Sequence, residues 1–238
     1  MSCYLVFSAC SDVAYEVIKE ISPNNTVILE GRNEERLKEL ASEFNCKYYV
    51  NDVCNFETTA QIFEEVKNEN EQIDGVLCFA GSLLLKPAHL TSKEDLMNVL
   101  NSNVVPAFSV VHSCGKFLRD ASVILFSSAI YDLGLANHEA ISLAKGGIAS
   151  LVKSASSSYA GKNIRFNAVA PGMTETKLTA KILQSEAGKN ASIKMHPLNR
   201  VAKPEEIASL ACYLLSQKAS FITGQTFKID GGLASIKL

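Results

Sequence analysis

The chain has 238 residues, 47% of them apolar and 20% charged, with a net charge of −2. That length and apolar share fit one α/β domain with a large core and exclude a disordered chain. Lys and Arg are scattered rather than gathered into a stripe, which excludes nucleic acid as a partner, and no apolar run is long enough to span a membrane.

Met1 to Phe7 lacks the basic start and apolar length of a signal peptide and reads as a first strand. Strand-like apolar runs fall at 3–8, 26–30, 46–50, 75–79, 122–127, 164–169 and 226–229. Helical spacing lies between most of them: Val13, Val17 and Ile21; Leu37 and Leu40; Ile62, Phe63 and Val66; Leu96, Val99 and Leu100. Buried strands alternating with amphipathic helices predict a Rossmann-like, doubly wound parallel sheet, three layers thick, in a single domain over 1–238. Such sheets take ligands at the carboxyl ends of their strands near the topological switch point, so the turn after the first strand should face a ligand. The seven Cys show no Cys-x-x-Cys spacing. No metal site is expected, and they read as thiols of a reducing cytoplasm.

Five features carry more specific information. Val123 to Ser128 is a buried strand ending in two hydroxyls. Ile141 follows Ser128 by thirteen residues, and Lys145 follows Ile141 by four. Asn167 to Thr176 contains Pro171-Gly172, and the chain closes with Phe221-Ile222-Thr223-Gly224-Gln225 and then Asp230-Gly231-Gly232. In order and spacing these segments resemble the short-chain dehydrogenase/reductase family. The resemblance covers nearly the whole chain, most strongly from Asp74 onward and least over the first thirty residues. It implies an NAD(P)-dependent carbonyl or alcohol oxidoreductase acting on a small molecule. It also implies a homodimer or homotetramer paired through the helix carrying Lys145 and the helix before it, where Ala144, Gly146, Gly147 and Ala149 permit close approach. The tail 231–238 is a second candidate contact.

The first turn, Ser8-Ala9-Cys10-Ser11-Asp12-Val13-Ala14, has no Gly, although a dinucleotide site favours a Gly-rich turn that lets the backbone approach a pyrophosphate. Aligning Val13, Val17 and Ile21 with the family's first helix shortens the turn by one residue and puts Ala9, Asp12 and Ala14 where three glycines would stand. Asp12 reads as a helix cap whose carboxylate takes the positive helix end and repels phosphate. Ser8 and Ser11 remain as candidate phosphate contacts. Gly31 leaves no acid for the ribose hydroxyls and Arg32 can pair with a 2′-phosphate, so NADP(H) is favoured over NAD(H) if any dinucleotide binds. Arg32 also reads as a solvated charge at a helix start. By the resemblance, Asp52 lies beside the adenine ring, Ala80-Gly81 keeps small residues at the fourth strand's end, and Pro171, Gly172 and Thr176 contact the nicotinamide. Cys78 and Phe79 stand where the family has an Asn pair, and Phe79 narrows the channel.

In the family, Asn, Ser, Tyr and Lys act together. The resemblance makes Ser128 the group that orients a carbonyl. Lys145 holds the ribose and tunes the Tyr, and Asn103 holds a water of the proton relay. Residues four apart on a helix lie about 40° apart in projection, on one face. A Tyr there would pair with Lys145, but position 141 is Ile, which cannot move a proton. His138, on the same face, and Tyr131, three residues after Ser128, are candidate substitutes. Asn137 reads as the helix cap, with His138 as the first helical residue. Segment 177–199, with Leu178, Ile182 and Leu183, reads as a substrate lid. Two functions follow: an NADP-dependent oxidoreductase with an atypical active site, or a catalytically inactive family member acting as a binding or assembly protein.

Overall fold

The computed structural model describes residues 1–236; Lys237 and Leu238, the end of the tail expected to make a second contact, lie outside the described residues. Seven strands form one parallel sheet: β1 (Cys3–Phe7), β2 (Thr26–Gly31), β3 (Lys47–Val50), β4 (Gly75–Cys78), β5 (Ser122–Phe126), β6 (Arg165–Pro171) and β7 (Thr226–Ile229). Their order is β3-β2-β1-β4-β5-β6-β7. Each coincides with a strand run predicted from sequence. The order reverses between β1 and β4, where Phe7 pairs with Cys78, so the crevice opens there.

Among the described residues six helices cover the faces, α1 (Asp12–Ile21), α2 (Glu34–Phe44), α3 (Phe56–Glu69), α4 (Lys93–Phe117), α5 (Glu139–Tyr159) and α8 (Pro204–Leu215), while α6 (Ala180–Leu183) and α7 (Glu186–Met195) lie between β6 and α8 in the chain and pack on each other. Alternate strand residues feed two cores. On one face Leu5, Ile28 and Val123 pack with Phe63 of α3, Val110 of α4 and Val152 of α5. On the other, Val6, Leu29 and Ile124 pack with Val17 and Ile18 of α1, Leu37 of α2 and Ile207 of α8. Helix α1 lies directly against α8. Both faces are buried, which explains why the strands read as continuous apolar runs. Pro106 stands inside α4 and is buried. No described helix is long and apolar enough to cross a membrane. All seven Cys are free.

Candidate functional site

After β1 the backbone turns at Ser8, with φ of 56°, the left-handed conformation that glycine adopts without steric cost. The demanding position is thus Ser8, one residue before the Ala9 that the sequence alignment selected. Ala9 is buried and donates its N–H to the Glu30 carbonyl at 2.8 Å. The Ser8 N–H donates to Glu30 Oε2 at 3.0 Å, and Asn51 Nδ2 donates to Glu30 Oε1 at 3.2 Å. Glu30 is only 1% exposed. Burial raises its carboxyl to about 7, while the Ser8 and Asn51 hydrogen bonds pull the other way. Sequence reasoning missed Glu30, although a lone charge at the end of the apolar run Val27-Ile28-Leu29 was a signal.

Ser11, not Asp12, caps α1: its hydroxyl accepts from the Ala14 N–H at 3.2 Å. Asp12 Oδ2 accepts instead from the backbone N–H of Lys177 at 2.6 Å, with the Lys177 ammonium 3.7 Å from Oδ1. The carboxylate still stands in the first turn of α1, where the helix dipole favours an anion. Among the described hydrogen bonds, the N–H groups of Cys10, Asp12 and Val13 have no partner. An open cavity of about 290 Å³ lies beside this turn, lined by Ser11, Asp12, Tyr15, Arg36 and Glu175. Arg32 is exposed and makes no ion pair among the described residues. Arg36, one turn further on, is committed to Glu39 at 2.7 Å and sits 5.9 Å from the Tyr15 ring centre. Asp52 is exposed and accepts from the Cys54 N–H at 3.0 Å. Phe79 stacks on Phe126 with ring centres 4.4 Å apart, forming an aromatic pair across the ends of β4 and β5.

At the other end of the crevice Lys145 projects from α5. Its Nζ donates to the Phe126 carbonyl at 3.0 Å, and Ser127 Oγ donates to the Lys145 carbonyl at 2.8 Å, which fastens α5 to the end of β5. Three ammonium hydrogens face one protein acceptor. Burial lowers Lys145 to about 8. A first side-chain carbon at Gly81 would lie 3.3 Å from Lys145 Nζ and 3.2 Å from Asn103 Oδ1, so both polar groups converge on the bare backbone of Gly81, next to Ala80. Asn103 is buried on α4, and its Nδ2 donates to the Val99 carbonyl at 2.9 Å and Ser82 Oγ at 3.2 Å. Ser128 Oγ donates to the Pro171 carbonyl at 3.4 Å, joining the end of β5 to the end of β6.

Ile141 is 1% exposed and packs with Leu83, Leu84, Val99, Leu100 and Ile130. His138 is the residue preceding α5 rather than its first helical residue. Asn137 is no cap: it takes a left-handed φ of 65°, and its carbonyl accepts from Lys86. The His138 ring is turned back on its own loop, with Nδ1 2.7 Å from the Ala136 carbonyl. Tyr131 lies in a 3-10 turn with Lys228 Nζ 5.6 Å from its ring centre. Neither side chain is hydrogen-bonded to Lys145 or Ser128.

Segment 177–199 contains α6 and α7 and is fastened at both ends. It begins at the Asp12–Lys177 contact. Near its end His196, missed from the sequence, bonds Ser192 and Met173. Thr176 is occupied locally: its N–H donates to Thr179 Oγ1 at 3.1 Å. A side chain on Gly172 would come within 2.7 Å of His196 Nε2, which accounts for the glycine there.

A family model described as enoyl-(acyl carrier protein) reductase matches residues 24–234. The chain belongs to the short-chain dehydrogenase/reductase family. Among its similar members is the 3-oxoacyl-[acyl-carrier-protein] reductase of Thermotoga maritima, 32% identical over 190 residues, covering 78% of this chain and 76% of the relative. The enzyme of that name from Aquifex aeolicus is 32% identical over 224 residues, 90% of each chain. A short-chain type dehydrogenase/reductase from Mycobacterium ulcerans superimposes with a TM-score of 0.91 at 25% identity, covering 98% of this chain and 90% of that one. Family membership agrees with the parallel sheet order and with a crevice flanked by Lys145, Asn103, Gly81 and the β6 loop.

Proposed function

We propose that this chain is an NAD(P)-dependent carbonyl or alcohol oxidoreductase with an atypical active site, in which NADP(H) is favoured and Lys145 replaces a tyrosine as the proton donor. The observation that carries this reading is the Lys145 ammonium, buried at the strand ends, bonded to one acceptor and lowered to about 8. A bound nicotinamide dinucleotide supplies or accepts the hydride. The residues present fit such a group: open N–H groups at the start of α1, the bare backbone of Gly81 beside Asn103 and Lys145, and Pro171, Gly172 and Thr176 in the loop after β6. Ser8 and Ser11 shape the turn, Asp52 borders the adenine end, and Arg32, without an ion pair among the described residues, suits a 2′-phosphate.

In carbonyl reduction the carbonyl carbon gains the hydride and the oxygen becomes an alkoxide. Ser128 orients that oxygen, and a Lys145 N–H bond breaks as the new O–H bond forms, leaving a neutral amine. Asn103 holds the relay by which solvent reprotonates the amine. A group near pKa 8 is poised for this at working pH, whereas an unperturbed lysine is not. His138 remains an alternative donor only if its ring leaves the Ala136 carbonyl. Segment 177–199 is the substrate lid. The protein works in the cytoplasm as a homodimer or homotetramer through α4 and α5, where Phe108 and Leu143 are exposed apolar residues.

A second reading, an inactive family member that binds or assembles, is favoured by Ile141, which cannot move a proton and packs in an apolar cluster. Titration of the purified chain with NADPH and NADH, followed by cofactor fluorescence and calorimetry, tests both. Micromolar NADPH binding weakened by Arg32→Ala supports the oxidoreductase; no binding at millimolar cofactor defeats it and leaves the assembly reading.

A further inference from the structure

His196 is 4% exposed and uses both ring nitrogens. Nε2 accepts from the backbone N–H of Met173 at 3.1 Å, which places the ring hydrogen on Nδ1, where it donates to the Ser192 carbonyl at 2.6 Å. One side chain thereby ties the C-terminal end of α7 to the loop that follows β6. The ring also lies against Gly172, where any side chain would collide with Nε2, and against Gly231 after β7. This arrangement admits one protonation state. A proton on Nε2 would turn the acceptor into a second donor aimed at the Met173 N–H, and the hydrogen bond could not survive.

We propose that His196 is a positioning residue whose neutral form pins segment 177–199 to the Gly172–Met173 loop, and whose protonation releases that pin. Its importance for the reaction rests on the reading of residues 171–176 as the nicotinamide loop, but the pin is a property of the free protein. Charged groups surround it from each neighbouring element. Asp230, at the end of β7, is occupied by the N–H groups of Gly232 and Ala234 at 3.0 and 2.9 Å. Arg200 and Glu206, which line a small cavity with His196 at the start of α8, neutralise one another at 2.7 Å. On α7 itself Lys194 is exposed. None of these accepts a hydrogen bond from the ring, so an imidazolium would gain no replacement for the Met173 contact.

Amide hydrogen exchange on the ligand-free protein tests this, corrected for intrinsic exchange rates and followed from pH 8 to pH 5. The wild type should lose about tenfold protection at the Met173 amide, and protection across α7, as the pH falls. His196→Gln keeps an acceptor that does not titrate and should retain protection at all pH values; His196→Ala should lack it throughout. Nitrogen-resolved histidine spectra should show the Nδ1–H tautomer at pH 8. Protection that is independent of pH in the wild type, a His196→Gln variant that follows the wild-type profile, or an Nε2–H tautomer would each overturn the proposal. NADPH titration of the same samples separates the two ideas: absent cofactor binding with an intact exchange profile removes the oxidoreductase reading and leaves the pin standing.

Discussion

The two ends of the crevice satisfy their polar groups in opposite ways. At the β1–α1 turn the chain's own carboxylates stand among the backbone donors: Glu30 takes the Ser8 N–H, and Asp12, held by the Lys177 N–H, sits beside the open N–H groups of Cys10 and Val13. At the β5–α5 end, Lys145 keeps a buried ammonium with a single acceptor, next to Asn103 and an uncovered Gly81. A buried polar group left underserved costs stability and persists where something else completes it. The contrast sets an underserved cation at Lys145 against negative charge beside open donors at the turn.

The largest expected effect tests the Lys145 side. Lys145→Met should lower carbonyl reduction by about 10²–10⁴-fold and, by removing an underserved buried charge, should raise the thermal midpoint. A variant that loses stability instead would show that the ammonium is already fully satisfied. Ile141→Tyr should raise reduction by about 10²-fold, at a stability cost of roughly 1–3 kcal/mol because the position is 1% exposed within a packed cluster. An inactive but folded variant would place the defect at the turn.

Glu30 sharpens the comparison through pH. Its folded carboxyl, at about 7, lies above its unfolded value, so the folded state binds the extra proton between them. Stability should therefore fall as pH rises through that window and level off above about 7. Glu30→Gln, which does not titrate, should flatten this part of the profile, as read by urea unfolding across the same pH range. Asp12→Ser should have the smallest effect, improving NADPH affinity by about tenfold through loss of one repulsive charge at the helix end. Unchanged affinity would clear Asp12 of blocking the site.

Much of the fold was readable from local pattern. Seven apolar runs separated by helical spacing needed no long-range information, and each strand lies within two residues of its predicted limits. Asn103, Gly81 and Lys145 were singled out one by one from the resemblance, and the fold sets the three side by side. What could not be read were partners distant in sequence. Asp12 looked like a cap, but Ser11 one residue earlier meets the same rule and does the capping, and the partner of Asp12 is 165 residues away. Ser8 was passed over because nothing in its side chain announces a left-handed φ; the carboxylate that meets its N–H lies 22 residues on. His196, between Met195 and Pro197, carried no local signal, since its task is defined by Met173 on another element.

The packing of α1 against α8 has a consequence for synthesis. The apolar face of α1, with Val17, Ile18 and Ile21, leaves the ribosome first, but α8 ends only at Leu215. Strand β1 likewise gains its second neighbour only when β4, at Gly75–Cys78, has emerged. A nascent chain halted before α8 would carry the oldest part of its core uncovered, exposed to chaperones and to aggregation, while the α3–α4 side was already closing. Ribosome-bound chains released at different lengths should thus become protease-resistant at the α1 segment only after residue 215 has cleared the exit tunnel.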